Sequence, residues 1–266
     1  MTLTDALRRG ALLKDEQIID AHAHMGPWYN FHIPHQGSAD AMVRSMDLCG
    51  ITTAVISPHV CIGPDYHLGN EQAFEAATRF PGRLVPFVTV NPTYGAEAVQ
   101  QEIDYWHERA QIKAFKLHPG THLYKASGEN YFPVYEYANA HALPILSHSW
   151  AGDPLCGAST LGGLAAKYTK ANFIIGHSAS SWQVMEEGCQ EAEQNDNVYL
   201  DLTGSRLLHG LIEQMVAQVG AHRVLFGTDN PFIDPRPGLG RVLMSRLNDD
   251  DKRLILSQNA RKLFGL

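Results

Sequence analysis

Between residues 18 and 226 the chain repeats one pattern eight times: a short apolar run, a stop at proline, glycine or a polar cluster, then a stretch with helical spacing. The apolar runs fall at 18–24, 51–57, 84–90, 112–117, 144–147, 172–175, 198–202 and 223–226. Near-continuous apolar composition, rather than strict alternation, predicts strands buried on both faces. The stretches between them read as helices over 38–49, 69–80, 95–110, 131–141, 160–168, 181–194 and 208–219, and two more follow the last strand. In the first of these, Ser38 is placed to cap the start and Gly50 to end it, with Met42, Val43, Met46 and Leu48 as the apolar face. Eight strand–helix units of about 25 to 35 residues predict a parallel sheet covered by helices, and that number fits an α/β fold of the (β/α)8 TIM-barrel type. A doubly wound open sheet would place a Gly-rich turn after its first strand, where this chain has histidines. The whole chain, 1–266, reads as one barrel domain, with 1–17 an N-terminal extension carrying a short amphipathic helix over 4–13 capped by Thr4.

The strand ends turn this scaffold toward chemistry. The first run closes on His22-Ala23-His24, and in a strand these two imidazoles project the same way and can close on one metal ion. Alone the pair is weak evidence, because 14 histidines in 266 residues give roughly 0.7 such pairs by chance. Other strand ends add Lys116 and His118, His148, His177 and Asp229. In a (β/α)8 barrel all these ends meet at one mouth, where the active sites of this fold are built, so a shared metal site is predicted there.

Composition narrows the class. The formal charge of −7 and the lack of basic clusters argue against nucleic-acid or anionic-membrane binding. The four cysteines are widely spaced with no Cys-x-x-Cys, the charged N-terminus does not resemble a signal peptide, and no apolar run approaches membrane-spanning length. The expectation is a soluble, cytoplasmic protein with reduced thiols. Its partner is a small-molecule substrate, and association with further copies of the chain is left open. Rings in loops after the strands, among them Trp28, Tyr29, His59, Tyr66 and Trp150, suit a small cyclic or aromatic ligand, and they suit loop packing equally.

Asp20-Ala21-His22-Ala23-His24, Lys116-Leu117-His118-Pro119, His148, Gly176-His177, Phe226-Gly227-Thr228-Asp229-Asn230-Pro231 and the closing Asn259-Ala260-Arg261-Lys262-Leu263-Phe264-Gly265-Leu266 together resemble the amidohydrolase superfamily. Within it the chain is most similar to the amidohydrolase-related branch, which includes aminocarboxymuconate-semialdehyde and resorcylate decarboxylases and pyrone-dicarboxylate lactonases. The resemblance implies that His22, His24, His148 and Asp229 hold a divalent metal, zinc by expectation, as one ion or two. It makes His177 a further ligand or an acid/base, and Lys116 either a carboxylated bridge between two metals or a cation for a substrate carboxylate. His118, Trp28, Arg206 and Trp150 are the expected substrate contacts, and Arg236 is a second candidate carboxylate clamp.

The chemistry expected first is hydrolysis of a small amide, ester or lactone by a metal-activated water, with Asp229 and His177 catalytic. Non-oxidative decarboxylation of a small carboxylated substrate is the alternative, since it uses the same ligand set. A phosphatase or nuclease of related barrel type, and a binder that keeps a metal for stability alone, complete the range.

Overall fold

Every predicted strand forms in a computed structural model of the chain, which describes residues 2–11, 13 and 15–266. The strands are β1 (Ile19–Met25), β2 (Thr53–Pro58), β3 (Leu84–Pro86 and Val88–Thr89), β4 (Phe115–Leu117), β5 (Pro144–Ser147), β6 (Asn172–Ile175), β7 (Val198–Asp201) and β8 (Val224–Leu225). Each pairs in parallel with the next. The Phe87 N–H bonds Ile56 O and the Val88 N–H bonds Ala114 O, so β3 passes its pairing from β2 to β4 across a break beside Pro86, which has no N–H to give. The circle then closes. The Ala21 N–H donates to Phe226 O (2.9 Å), the Asp229 N–H to His22 O (2.9 Å) and the His24 N–H to Asn230 O (2.7 Å), joining β1 to the segment that leaves β8. The fold is a TIM barrel, as its eightfold pattern predicts.

Two apolar layers account for the near-continuous hydrophobicity of the strands. An outer layer between strands and helices takes Ile56, Phe115, Ile145 and Phe173, among others, while an inner layer of Ile19, Ala21, Val55, Phe87, Ala114, Leu146, Ile174 and Leu225 fills the barrel. Ala260 and Phe264, on the helix Asn259–Phe264, pack against that inner layer. The floor of the mouth is therefore hydrocarbon, and polar groups set above it lie in a low dielectric.

One irregularity aims the first strand at the mouth. Ile19 and Asp20 pair with Thr53 and Ala54, but Ala23 pairs with Ile56, so β1 carries one extra residue. Such a bulge reverses side-chain parity. Ile19 and Ala21 face the barrel interior below the bulge, whereas Ala23 and Met25 join the outer layer above it, leaving His22 and His24 to the interior.

The helices match prediction with small shifts. The helix Ala39–Cys49 has Ser38 as its N-cap and Gly50 left-handed at its end, where glycine escapes the steric cost. The helix expected at 69 begins a turn earlier, as Tyr66–Arg79, because Asp65 caps it. The N-terminal helix is Leu3–Arg8 with Thr2, not Thr4, as its cap, and Leu12 of the predicted span lies outside the described residues. No helix among the described residues is long and apolar enough to cross a membrane.

Candidate metal centre

Two buried hydrogen bonds fix the tautomers of the β1 histidines. His22 Nδ1 donates to Asp201 Oδ2 at 2.6 Å, and His24 Nδ1 donates to the Ser57 carbonyl at 2.9 Å. Because a carboxylate and a carbonyl only accept, each Nδ1 carries the proton and each Nε2 presents a lone pair. Both lone pairs face Asp229 Oδ1, at 3.3 and 3.2 Å, and His177 Nδ1 stands 3.7 Å from Asp229 Oδ2. Ligand atoms of His22, His177 and Asp229 all lie within 4.8 Å of one another, and all three residues are buried. Acceptors so convergent need positive charge beside them; Lys116 Nζ, 2.5 Å from His22 Nε2, supplies one cation from below, and the side toward His24 and His177 is left for another. Atoms 3.2 to 3.3 Å apart are also at the spacing of two donors on one ion when each sits about 2.1 Å from it. Imidazole and carboxylate are ordinary donors for a divalent transition ion, so the residues present fit a metal.

The second layer is as well specified. Asp201, fully buried at the end of β7, accepts from His22 Nδ1, the His177 N–H (3.2 Å), the Thr203 N–H (2.9 Å) and the Thr203 hydroxyl (2.6 Å). A Cβ at position 227 would collide with Asp201 Oδ1, Thr203 Oγ1 and His22 Cβ, which is why a glycine must follow Phe226. His177 and Asp229 both adopt φ of 60°, a left-handed conformation that costs free energy in a non-glycine residue. That strain falls on two of the three clustered residues. Under them, Lys116 Nζ lies 2.5 Å from His22 Nε2.

Burial dominates the electrostatics. It pushes His24 and His148 down to about 3 and His22 and His177 well below the usual imidazole range, with the Lys116 cation adding to the effect at His22, His24 and His148. These rings are neutral, as metal ligation requires. Burial raises the Asp229 carboxyl and lowers Lys116, while their mutual attraction opposes both changes.

Above the cluster opens a cavity of about 420 Å³, reached by His24, His177 and Asp229 and walled by the expected contacts Trp28, His118, Trp150 and Arg206. His148 is on the wall too. Its ring stacks on His118 (centroids 4.2 Å apart) and meets His177 edge-on (4.5 Å), which sets it beside the His22–His177–Asp229 group rather than within it. Lys116 is fully buried and not in the cavity wall, so its cation bears on His22 and Asp229, not on a ligand carboxylate in the cavity. Arg236 is a correction. It lies outside this cavity and forks onto Asp234, with Nε bonds of 2.9 and 3.0 Å, so its charge is already engaged. Tyr66 likewise packs on Tyr94, with centroids 5.6 Å apart, away from the cavity.

Sequence reasoning missed Asp201, and also Asp20, which accepts from the His22 N–H (3.1 Å), the Thr228 N–H (3.1 Å) and the Thr228 hydroxyl. The available signal was a carboxylate inside an apolar run, Val198-Tyr199-Leu200-Asp201-Leu202, because a buried charge persists only where partners satisfy it.

A family model for amidohydrolases matches residues 19–266. The chain belongs to the amidohydrolase family. This amidohydrolase has the fold of several solved structures, at identities that show the fold alone. The 2,6-dihydroxybenzoate decarboxylase from Rhizobium superposes with a TM-score of 0.71 at 18% identity, over 94% of this chain and 99% of that one. A dihydroxybenzoic acid decarboxylase from Polaromonas, solved with manganese and 2-nitroresorcinol, gives 0.70 at 18% identity, covering 94% and 97%. The 4-oxalomesaconate hydratase from Rhodopseudomonas palustris gives 0.69 at 16%, covering 94% and 96%. A search of the curated proteins returns no match. The amidohydrolase is thus a metal-dependent enzyme of its superfamily, with a histidine–aspartate site for a divalent ion.

Proposed function

We propose that this amidohydrolase is a metal-dependent, non-oxidative decarboxylase of a small, planar, carboxylated substrate. The observation that carries the reading is the cavity: a ring-walled slot with one cation, Arg206, in its wall, opening over His24, His177 and Asp229. Phe31 stacks on Phe232 with centroids 5.1 Å apart, and His148 and Trp150 lie parallel within 2°, so four of the lining residues are flat rings suited to a planar ligand. Two of the similar structures are named for hydroxylated benzoate substrates, which suit such a slot.

One divalent ion is the proposed cofactor, held by His22, His24, His177 and Asp229 with His148 beside them; manganese and zinc both suit the donor set. When bound, it would supply positive charge that draws electron density from substrate oxygens. The Asp229 carboxyl, buried at the cavity beside these histidines, would carry the proton that goes to the ring carbon bearing the carboxylate. The electron pair of the C–C bond then returns to the ring, carbon dioxide leaves, and Asp229 regains a proton from water. Arg206 holds the anionic end of the substrate, and the rings exclude water from the protonated carbon.

Hydrolysis is the second reading. It is favoured by Asp229 Oδ1 lying within 3.3 Å of both β1 histidines, where a carboxylate can take a proton from water. Incubation of the metal-loaded protein with hydroxybenzoates, lactones and amides, following carbon dioxide and ring opening, separates the two. Carbon dioxide release that stops with chelator and in Asp229→Asn supports decarboxylation; lactone or amide turnover without it overturns that reading.

A further inference from the structure

Four buried polar side-chain atoms among the described residues have no hydrogen-bond partner, and two of them, His59 Nε2 and Ser180 Oγ, belong to residues that line the cavity. His59 is 3% exposed and Ser180 4%. Neither is a proposed metal ligand. His59 follows β2 and Ser180 follows β6, and in a ring of eight strands these two are four steps apart in either direction, on opposite walls of the mouth.

The His59 ring can do only one thing there. Its Nδ1 is 2.8 Å from the Gly26 carbonyl oxygen, which can only accept, so the proton sits on Nδ1 and Nε2 offers a lone pair. The ring is clamped in place: stacked on His24 (4.9 Å), against Trp28 (5.4 Å) and against Phe232 (5.7 Å). A buried acceptor fixed this firmly and left unpaired is costly unless a ligand supplies the missing donor.

We infer that His59 is a specificity determinant which accepts a hydrogen bond from a ring hydroxyl of the substrate, with the Ser180 hydroxyl engaging a polar group on the opposite side of the same ring. The substrate class is then a hydroxylated aromatic acid carrying polar groups on both flanks. This rests on the decarboxylase reading for the carboxylate, but its binding test does not need turnover. A site that must satisfy a buried acceptor rejects ligands lacking the donor far more strongly than an apolar wall rejects a missing methylene.

The test is calorimetric affinity of the manganese-loaded protein for 2-hydroxybenzoate and for the 2,3-, 2,4-, 2,5- and 2,6-dihydroxybenzoates, with carbon dioxide release followed in parallel. At least one dihydroxy isomer is expected to bind about tenfold tighter than 2-hydroxybenzoate. That gain should fall below about twofold in His59→Phe, which keeps the ring and loses the acceptor, and should persist in His59→Gln, which restores an acceptor. Ser180→Ala, which removes a single oxygen, is the second arm and should reduce the gain by about threefold. An equal gain in the parent, His59→Phe and Ser180→Ala overturns the inference, as does the absence of any gain in the parent; a water molecule then satisfies Nε2. Carbon dioxide release judges the decarboxylase reading separately: lost discrimination without carbon dioxide sinks that reading and leaves the role of His59 standing.

Discussion

Replacing Asp201 by Asn tests the second layer of the metal centre without touching a ligand. Two donors, His22 Nδ1–H and the His177 N–H, point at Oδ2, and two more from Thr203 point at Oδ1. An amide offers one acceptor and one donor. With its oxygen toward Thr203, its NH₂ confronts two N–H groups; turned over, it confronts the Thr203 N–H. Either way about two hydrogen bonds to a charged acceptor disappear, and at about 1.5 to 3 kcal/mol each, with partial relaxation, the expected loss of stability is about 2 to 4 kcal/mol. His22 escapes the clash only by moving its proton to Nε2, which removes the lone pair that faces Asp229. Metal affinity should therefore fall about 10- to 100-fold. Urea unfolding and competition with a colorimetric chelator read the two effects. Affinity within about threefold of the parent, with an unchanged midpoint, would refute the claim that Asp201 sets the His22 tautomer.

Gly227→Ala should lower stability by about 1 to 3 kcal/mol and weaken metal binding, since the new methyl displaces Asp201 or His22; a variant matching the parent in both contradicts the packing described. Arg206→Ala should raise KM for a carboxylate substrate about tenfold with kcat within about threefold; a fall in kcat alone would place Arg206 in the chemistry instead. The metal-free protein should be acid-sensitive. His24, His59 and His148 are held near 3, His122 near 4, and His22, His118 and His177 well below 6.5, so below that pH the unfolded chain takes up protons that the folded one refuses. Asp20 and Asp229, raised to about 8, act in the opposite sense between about 4 and 8. Seven imidazoles outweigh two carboxyls by up to five protons, so stability should fall by at most about 7 kcal/mol per pH unit near pH 5. A urea midpoint that is flat from pH 7 to 5 would contradict this.

Strand number, helix order and the gathering of His22, His177 and Asp229 were all legible in the sequence, because apolar periodicity and strand-end residue types are local signals read one strand at a time. The bulge in β1 was not legible: it comes from the register of β1 on β2, and only the paired structure shows that one extra residue separates Asp20 from Ala23. Asp201 escaped notice because its role depends on His22, 179 positions away. Arg236 was a candidate carboxylate clamp from its position in the chain alone, and the fork it makes onto Asp234 appears only in the folded chain. His59 was visible as a loop aromatic, but its fixed tautomer needs the Gly26 carbonyl, which approaches only after folding.

The central claim is that His22, His177 and Asp229 converge on one divalent ion, and metal content tests it most directly. After loading with manganese or zinc and exhaustive dialysis, elemental analysis should find one ion per chain in the parent and a small fraction of that in Asp229→Ala and His22→Ala, both still folded by circular dichroism. A parent that retains no metal, or variants that hold as much as the parent, would contradict the account.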